Sequence, residues 1–228
     1  MFSPISDFVS LIFPRVCVHC STALTRKEEF LCLECELSLP KRSEWANKEQ
    51  LLKKFAFQPK VIAAYAYLEF IKEGIAQKLI HKLKYQNKKE LGIWLGTKYG
   101  GELKTLNDLP NFDLMIPSPL HPNRARQRGY NQSEQIALGL SKSLDIPVFN
   151  QLVSRIRETT SQTRKSKVKR WENMDQVFAV NEPSAIEGKD ILLVDDVITS
   201  GATIGMLCDE LAKVNPNTIT LAALASGK

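Results

Sequence analysis

No run of apolar residues in this 228-residue chain reaches the roughly 18–20 needed to span a bilayer. The opening stretch, MFSPISDFVSLIFPRVC, is apolar but short, has no positive leader region and carries Asp7. It reads as an amphipathic helix from about Ile5 to Ile12, packed on its own domain, rather than a signal peptide. Cysteine is sparse, five in all. In the cytoplasmic chain that these absences imply, those cysteines are reduced thiols or metal ligands rather than disulfides. No G-x-x-x-x-G-K-[ST] occurs, which argues against a P-loop nucleotidase, and no G-x-G-x-x-G, which removes support for a dinucleotide fold. Internal repeats and long low-complexity tracts are missing too.

What is present fits an ordinary globular protein: 43% hydrophobic and 25% charged residues. Lys and Arg total 31 against 25 Asp and Glu, a net charge of +6. That mild basic excess permits contact with phosphates or nucleic acid without requiring it.

Along the chain, Val61 to Leu68 (VIAAYAYL) is a strand candidate. Residues 71–85 repeat apolar positions at helical spacing, and a second helix is expected over 88–106. Phe112 to Ile116 reads as a strand ended by Pro117-Ser118-Pro119, and 121–130 (HPNRARQRGY) as a basic loop. Asn131 followed three residues on by Glu134 resembles a capping box opening a helix that Pro147 ends. A strand is expected over 148–153, a buried one over Ile191–Val194, a helix from about Ser200, and a last strand over Thr218–Leu224. Strands alternating with helices predict an α/β domain over 61–228 with a mostly parallel central sheet flanked by helices. Residues 1–40 form a separate small N-terminal part, and the lysine-rich 41–60 is expected to be a connector.

Cys17-x-x-Cys20 and Cys32-x-x-Cys35, eleven residues apart, have the spacing of a four-thiolate tetrahedral zinc site. Four protein ligands leave no open position, so the zinc is structural, and His19 is surplus. Cys208 falls on the apolar face of the last helix and reads as a small core residue.

The stretch ILLVDDVITSGAT, Ile191 to Thr203, poses the sharper question. Two adjacent carboxylates end an apolar strand, where like charges repel and burial is costly. A receiver domain can carry such a strand, but needs on the order of 100 further residues. The small residues that follow open a helix whose free backbone N–H groups can cradle a phosphate. Gly201 lets the backbone approach closely, and the hydroxyls of Thr199, Ser200 and Thr203 add donors. Upstream, Asp195 and Asp196 can accept hydrogen bonds from vicinal hydroxyls. Together they describe a site for a ribose 5-phosphate.

This stretch resembles the phosphoribosyl pyrophosphate (PRPP) motif of the type I phosphoribosyltransferases. The cysteine pairs, IHKLKYQNKKEL at 80–91, IPSPLHPNRARQRGYNQSEQIA at 116–137 and TTSQTRKSKVKRWEN at 159–173 extend the resemblance to the ComF (amidophosphoribosyltransferase-like) family over most of the chain. The resemblance implies a type I phosphoribosyltransferase fold with a small zinc module. It implies that Asp195 and Asp196 hold the ribose hydroxyls, directly or through Mg²⁺, and that Thr199, Ser200, Gly201, Ala202 and Thr203 bind the 5-phosphate. Pro117, Ser118, Pro119 and Leu120 match the pyrophosphate-binding turn. Lys84, with Tyr85, matches the family's LKY, and Arg124, Arg128 and Asn131 its basic motif. Thr159, Gln162, Arg164 and Arg170 fall in the segment resembling the flexible active-site loop, with Thr160-Ser161 where relatives often have prolines. Thr199-Ser200-Gly201 stands where relatives often read Thr-Thr-Gly.

No glutaminase domain is apparent, and Met1-Phe2 offers no N-terminal cysteine nucleophile, so a complete glutamine amidotransferase is not expected. Two readings follow from the resemblance. One is Mg²⁺-dependent phosphoribosyl transfer from PRPP, with pyrophosphate release, to an unidentified acceptor. The other is a non-catalytic PRPP-sensing accessory protein of DNA uptake that binds single-stranded DNA and other competence or DNA-processing proteins.

Overall fold

The computed structural model describes residues 14–42, 49–157 and 176–227. The expected N-terminal helix and the segment carrying Thr159, Gln162, Arg164 and Arg170 lie outside them.

Four strands build the central sheet: β1 (Val61–Glu69), β2 (Leu114–Pro117), β5 (Asp190–Ile198) and β6 (Thr218–Ser226). Their order is β1-β6-β5-β2 and every neighbouring pair is parallel. Parallel strands are covered on both faces, which is why these segments are continuous apolar runs rather than alternating ones. Successive side chains still go to opposite faces. Leu192, Val194, Ala222 and Leu224 join one core; Ile191, Leu193, Leu221 and Ala223 join the other.

The first core lies under α2 (Ile75–Tyr85), α3 (Lys89–Leu103) and α5 (Gln132–Leu144), and the second under α6 (Ala202–Ala212). Helices α3 and α5 meet through Gly96 and Gly139. A Cβ on either would collide with the backbone of the facing helix. A two-stranded antiparallel ribbon, β3 (Val153–Arg155) with β4 (Phe178–Val180), stands beside the main sheet.

Several elements differ from the sequence reading. The basic stretch is not a loop: Pro122–Arg128 forms α4, capped by His121 and closed by Gly129 at φ 77°. Pro at the first helical position and Gly just past the last favour a helix there. The capping box is half made. Asn131 Oδ1 accepts from Ser133 N at 3.1 Å, but Glu134 turns to Asn150 at 2.7 Å. Helix α5 ends at Leu144, before Pro147, with Asp145 left-handed at φ 58°. In place of a strand over 148–153, Val148 bridges Met115 and β3 begins at Val153. Strand β5 runs on to Ile198, so both aspartates lie within it. Within the lysine-rich 41–60, Leu51 and Phe55 are buried in the second core.

Residues 14–42 hold a compact cysteine-bearing unit with the short helix α1 (Leu33–Leu37). Glu28 ties it together by accepting from Thr25 N and Leu33 N, each at 2.7 Å. Those donors hold the Glu28 carboxyl below its ordinary range. Among the described residues no helix is long and apolar enough to cross a membrane.

Candidate functional site

The pairing of β5 is asymmetric at its carboxyl end. Its β2 partner stops at Pro117, opposite Val194, while β6 continues to pair through Ile198. Asp195 to Ile198 is therefore strand held from one side and open on the other. In parallel α/β sheets, ligands collect at that end of the strands, where neighbouring connections diverge.

The acid pair is compensated by three groups. Ser133 Oγ donates to Asp195 Oδ1 at 3.0 Å from the first turn of α5. Asp196 N donates to the same oxygen at 2.9 Å. Lys84 Nζ, from the last turn of α2, lies 2.8 Å from Asp196 Oδ2 and 3.0 Å from its Oδ1. The salt bridge goes to Asp196, and among the described residues the donors to Asp195 are neutral. Burial, reinforced by the neighbouring Asp196 charge, pushes its carboxyl up to about 7.

Directly after the strand, residues 199–203 wrap a small pocket that Asp195 also lines. Gly201 sits at φ 79°, the left-handed conformation that L-residues resist, and opens α6. A Cβ there would lie 3.1 Å from the Phe55 ring. Lys54 Nζ donates to Thr199 O at 2.5 Å and to Gly227 O at 2.9 Å, pinning the turn from beneath. Ser200 Oγ accepts from Ala202 N at 3.4 Å.

The turn after β2 stands alongside. Ser118 N donates to Val194 O at 2.7 Å, and Ser118 O accepts from Asn131 Nδ2 at 2.9 Å. Asn131 thus caps α5 and ties the 117–120 turn to it. Arg128 donates to Gln132 Oε1 at 2.8 Å, and its guanidinium lies 5.5 Å from the Tyr85 ring centroid. Tyr130 Oη donates to Leu83 O, which locks the end of α2 onto the segment before α5.

Asp195, Asp196, residues 199–203, the 117–120 turn, Asn131 and Lys84 therefore gather at one edge of the sheet. Lys84 engages the acid pair through Asp196. Arg124 and Arg128 are carried on α4, with Arg128 reaching back to α5. Sequence reasoning missed Ser133, Lys54 and Phe55. For Phe55 a signal existed in LLKKF, where Leu51 and Phe55 are four apart, on one helical face. Ser133 and Lys54 carry no local mark of their partners.

At the other end of the chain, the ligand atoms of Cys17, Cys20, Cys32 and Cys35 lie within 4.8 Å of one another. Cys20 Sγ and Cys32 Sγ are 3.7 Å apart, close to the edge of an S₄ tetrahedron with metal–sulfur bonds of about 2.3 Å. Thiols this close share charge unevenly. Hydrogen bonds led by those from Thr22 bring Cys20 down to about 6, and burial with the neighbouring sulfurs drives Cys35 far up. This is a four-cysteine cluster able to hold a metal ion.

Comparison with known proteins agrees with this arrangement. Residues 131–228 match the family model described as "Phosphoribosyl transferase domain". The chain is 28% identical over 228 aligned residues to "Competence protein F" of Haemophilus influenzae, covering 92% of this chain and 96% of that one. It is 27% identical to "DNA utilization protein YhgH" of Shigella flexneri, covering 90% and 87%. "Competence protein ComFC" of Bacillus subtilis is 27% identical, over 62% of this chain and 53% of its own. A parallel sheet flanked by helices, a match to the phosphoribosyl transferase domain over the stretch that includes the acid pair, and relatives aligned over most of the chain give it a phosphoribosyltransferase fold and a likeness to the competence protein F and YhgH proteins.

Proposed function

We propose that the chain binds PRPP with Mg²⁺ and transfers the phosphoribosyl group, with release of pyrophosphate, to an acceptor of unassigned identity. The observation that carries this reading is the acid pair on the open side of β5, followed at once by the left-handed Gly201 turn and the start of α6. On this reading Asp195 and Asp196 accept the ribose hydroxyls, while the hydroxyls and N–H groups of Thr199, Ser200, Gly201, Ala202 and Thr203 take the 5-phosphate. The turn Pro117-Ser118-Pro119-Leu120, with Arg124 and Arg128 beyond it, faces the pyrophosphate.

Departure of pyrophosphate leaves positive charge on the anomeric carbon. The site must fix the sugar and stabilise a leaving polyanion. Lys54, bonded to Thr199 O, and Asn131, between the 117–120 turn and α5, hold the cradle in shape before the ligand arrives. Lys84 pairs with Asp196 and fixes its carboxylate in place. The hard oxygen donors of Asp195 and Asp196 suit Mg²⁺. Mg²⁺, when bound, neutralises the pyrophosphate. The segment from Arg155 to Arg170, with seven basic residues and one acidic, supplies on this reading the loop that excludes water.

The four cysteines fit a structural zinc in ligand type, number and spacing. On this reading the cysteine module over 1–40 and the connector over 41–60 precede the phosphoribosyltransferase domain over 61–228, with Cys17, Val18, Leu31, Cys35 and Leu39 packed into that domain's first core.

Calorimetry with PRPP and Mg²⁺, on the wild type and on Asp195→Asn/Asp196→Asn, tests the reading. Magnesium-dependent binding lost in the double variant supports it; no binding by the wild type refutes it. Pyrophosphate release across a panel of acceptors then separates catalysis from sensing.

The relatives' names give a second reading its basis, a role in handling DNA. Helix α4 places Arg126 in solvent beside the site, so single-stranded DNA is the partner to try. Binding that weakens steeply with salt supports this reading; no binding at low salt removes it.

A further inference from the structure

The four clustered cysteines are alike in spacing but not in setting. Cys17 and Cys35 are 1% and 7% exposed and belong to the first core, with Val18, Leu31 and Leu39. Cys20 is exposed and Cys32 half-buried. Cys17 N donates to Thr22 O at 2.8 Å and Cys17 O accepts from Ser21 N at 3.0 Å, so the base of the first knuckle is held. Cys20 stands in the turn above it, and Cys32 immediately precedes α1. Their sulfurs are 3.7 Å apart. Cys20 Sγ also lies 3.2 Å from Thr22 Oγ1, a hydroxyl able to donate to a thiolate. Cys208, the fifth cysteine, is 1% exposed in the second core.

A cluster with two sulfurs in the core and two nearer water has an order of attack. Peroxides react with thiolates, and access decides which thiolate is reached first. A bound metal holds its sulfur ligands as thiolates. A disulfide needs sulfurs about 2.05 Å apart, so Cys20 and Cys32 must close by about 1.7 Å. A turn residue and one ahead of a short helix can make that move. Two side chains close-packed in a core resist it.

We propose that Cys20 and Cys32 are a peroxide-sensitive pair, whose oxidation to a disulfide expels the metal from the four-cysteine cluster. The thiolate of Cys20 attacks one oxygen of hydrogen peroxide; the O–O bond breaks, hydroxide leaves, and Cys20 becomes a sulfenic acid. The thiolate of Cys32 then attacks Cys20 Sγ; the S–S bond forms, the S–O bond breaks, and a second hydroxide leaves. The two sulfurs give up two electrons in all, and the peroxide takes them. Cys17 and Cys35 alone supply half of a tetrahedral ligand set, and the ion departs. Release of the ion rests on the structural-zinc reading above; formation of the disulfide does not. Neither involves the PRPP site.

The test treats the zinc-loaded full chain with about 1 mM hydrogen peroxide. A chromogenic chelator follows the ion, and tryptic mapping by mass spectrometry, after alkylation of the remaining thiols, reads the bond. Cleavage after Arg15, Arg26, Lys27 and Lys41 puts Cys17 with Cys20 in one peptide and Cys32 with Cys35 in another. Metal content should fall from one ion per chain to near none. The two peptides should become linked through Cys20 and Cys32, with Cys17 and Cys35 alkylated. A dithiol reductant with added zinc should restore the metal, and Cys208→Ala should follow the same course. The metal-free chain should form the same link. Four thiols left intact, a bond closed within either peptide, sulfinic acid at Cys20 with no bond, or a link formed while the ion stays bound overturns the proposal. Should the chain take up no zinc, the zinc reading fails and the map alone decides the pair.

Discussion

Replacing Asp195 by asparagine should make the ligand-free chain more stable at neutral and alkaline pH, while removing the group proposed to hold the ribose. The carboxyl is pushed from an ordinary 3.8 up to about 7, by burial first and by the Asp196 charge second. Below about pH 4 it is protonated in both folded and unfolded chains and contributes no difference. Between about pH 4 and about pH 7 the unfolded chain loses this proton while the folded chain keeps it, so stability falls as pH rises through that window. Above it the penalty is constant. At about 1.4 kcal/mol per pH unit, the rise from 3.8 to about 7 sets a ceiling of about 4 kcal/mol. Water reaching the pocket lip reduces this, and about 1–3 kcal/mol is the expected gain. Asparagine retains an Oδ1 for Ser133 Oγ and Asp196 N, and the Lys84–Asp196 pair at 2.8 Å is untouched. Urea unfolding of both proteins from about pH 4.5 to about pH 8.5 reads the difference. It should be smallest at the acid end, widen through the window and level off. A difference that does not change with pH, or a less stable variant at alkaline pH, refutes the account of Asp195 as a carboxylate held at a cost.

Lys84→Met removes the cation from Asp196 and should destabilise the chain by about 1–3 kcal/mol near pH 8, less than the 3–5 of a fully buried pair because the two side chains are 22% and 14% exposed. Urea unfolding of the variant and the wild type at that pH checks the loss. Gly201→Ala forces a left-handed alanine against Phe55, whose ring lies 3.1 Å from the new Cβ. It should cost about 1–2 kcal/mol in thermal unfolding and weaken PRPP in calorimetry. Cys35→Ser should reduce metal content, measured by plasma mass spectrometry, from one zinc per chain to near none. Chelator treatment of the wild type should lower its melting temperature towards that of the variant.

The parallel sheet was legible because its strands are apolar on both faces, which yields unbroken runs such as ILLV and LAALA. The acid pair was legible for the complementary reason, that two carboxylates interrupt such a run just where a small-residue turn begins. Elements with a mixed code were harder. In HPNRARQRGY the density of charge suggested a loop, yet Pro122 and Gly129 bracket a helix with no buried residue, held by its caps rather than by packing. In the lysine-rich 41–60, charge likewise masked Leu51 and Phe55, whose core partners are far along the chain. Least legible was how the acid pair is tolerated. Ser133 and Lys84 lie 62 and 112 residues before the aspartates they meet. A local pattern can announce that two carboxylates are adjacent. Which of them has a cation beside it follows from one lysine, delivered by another helix, reaching Asp196 rather than Asp195. That choice leaves Asp195, among the described residues, with Ser133 Oγ and Asp196 N as its donors and no ion pair.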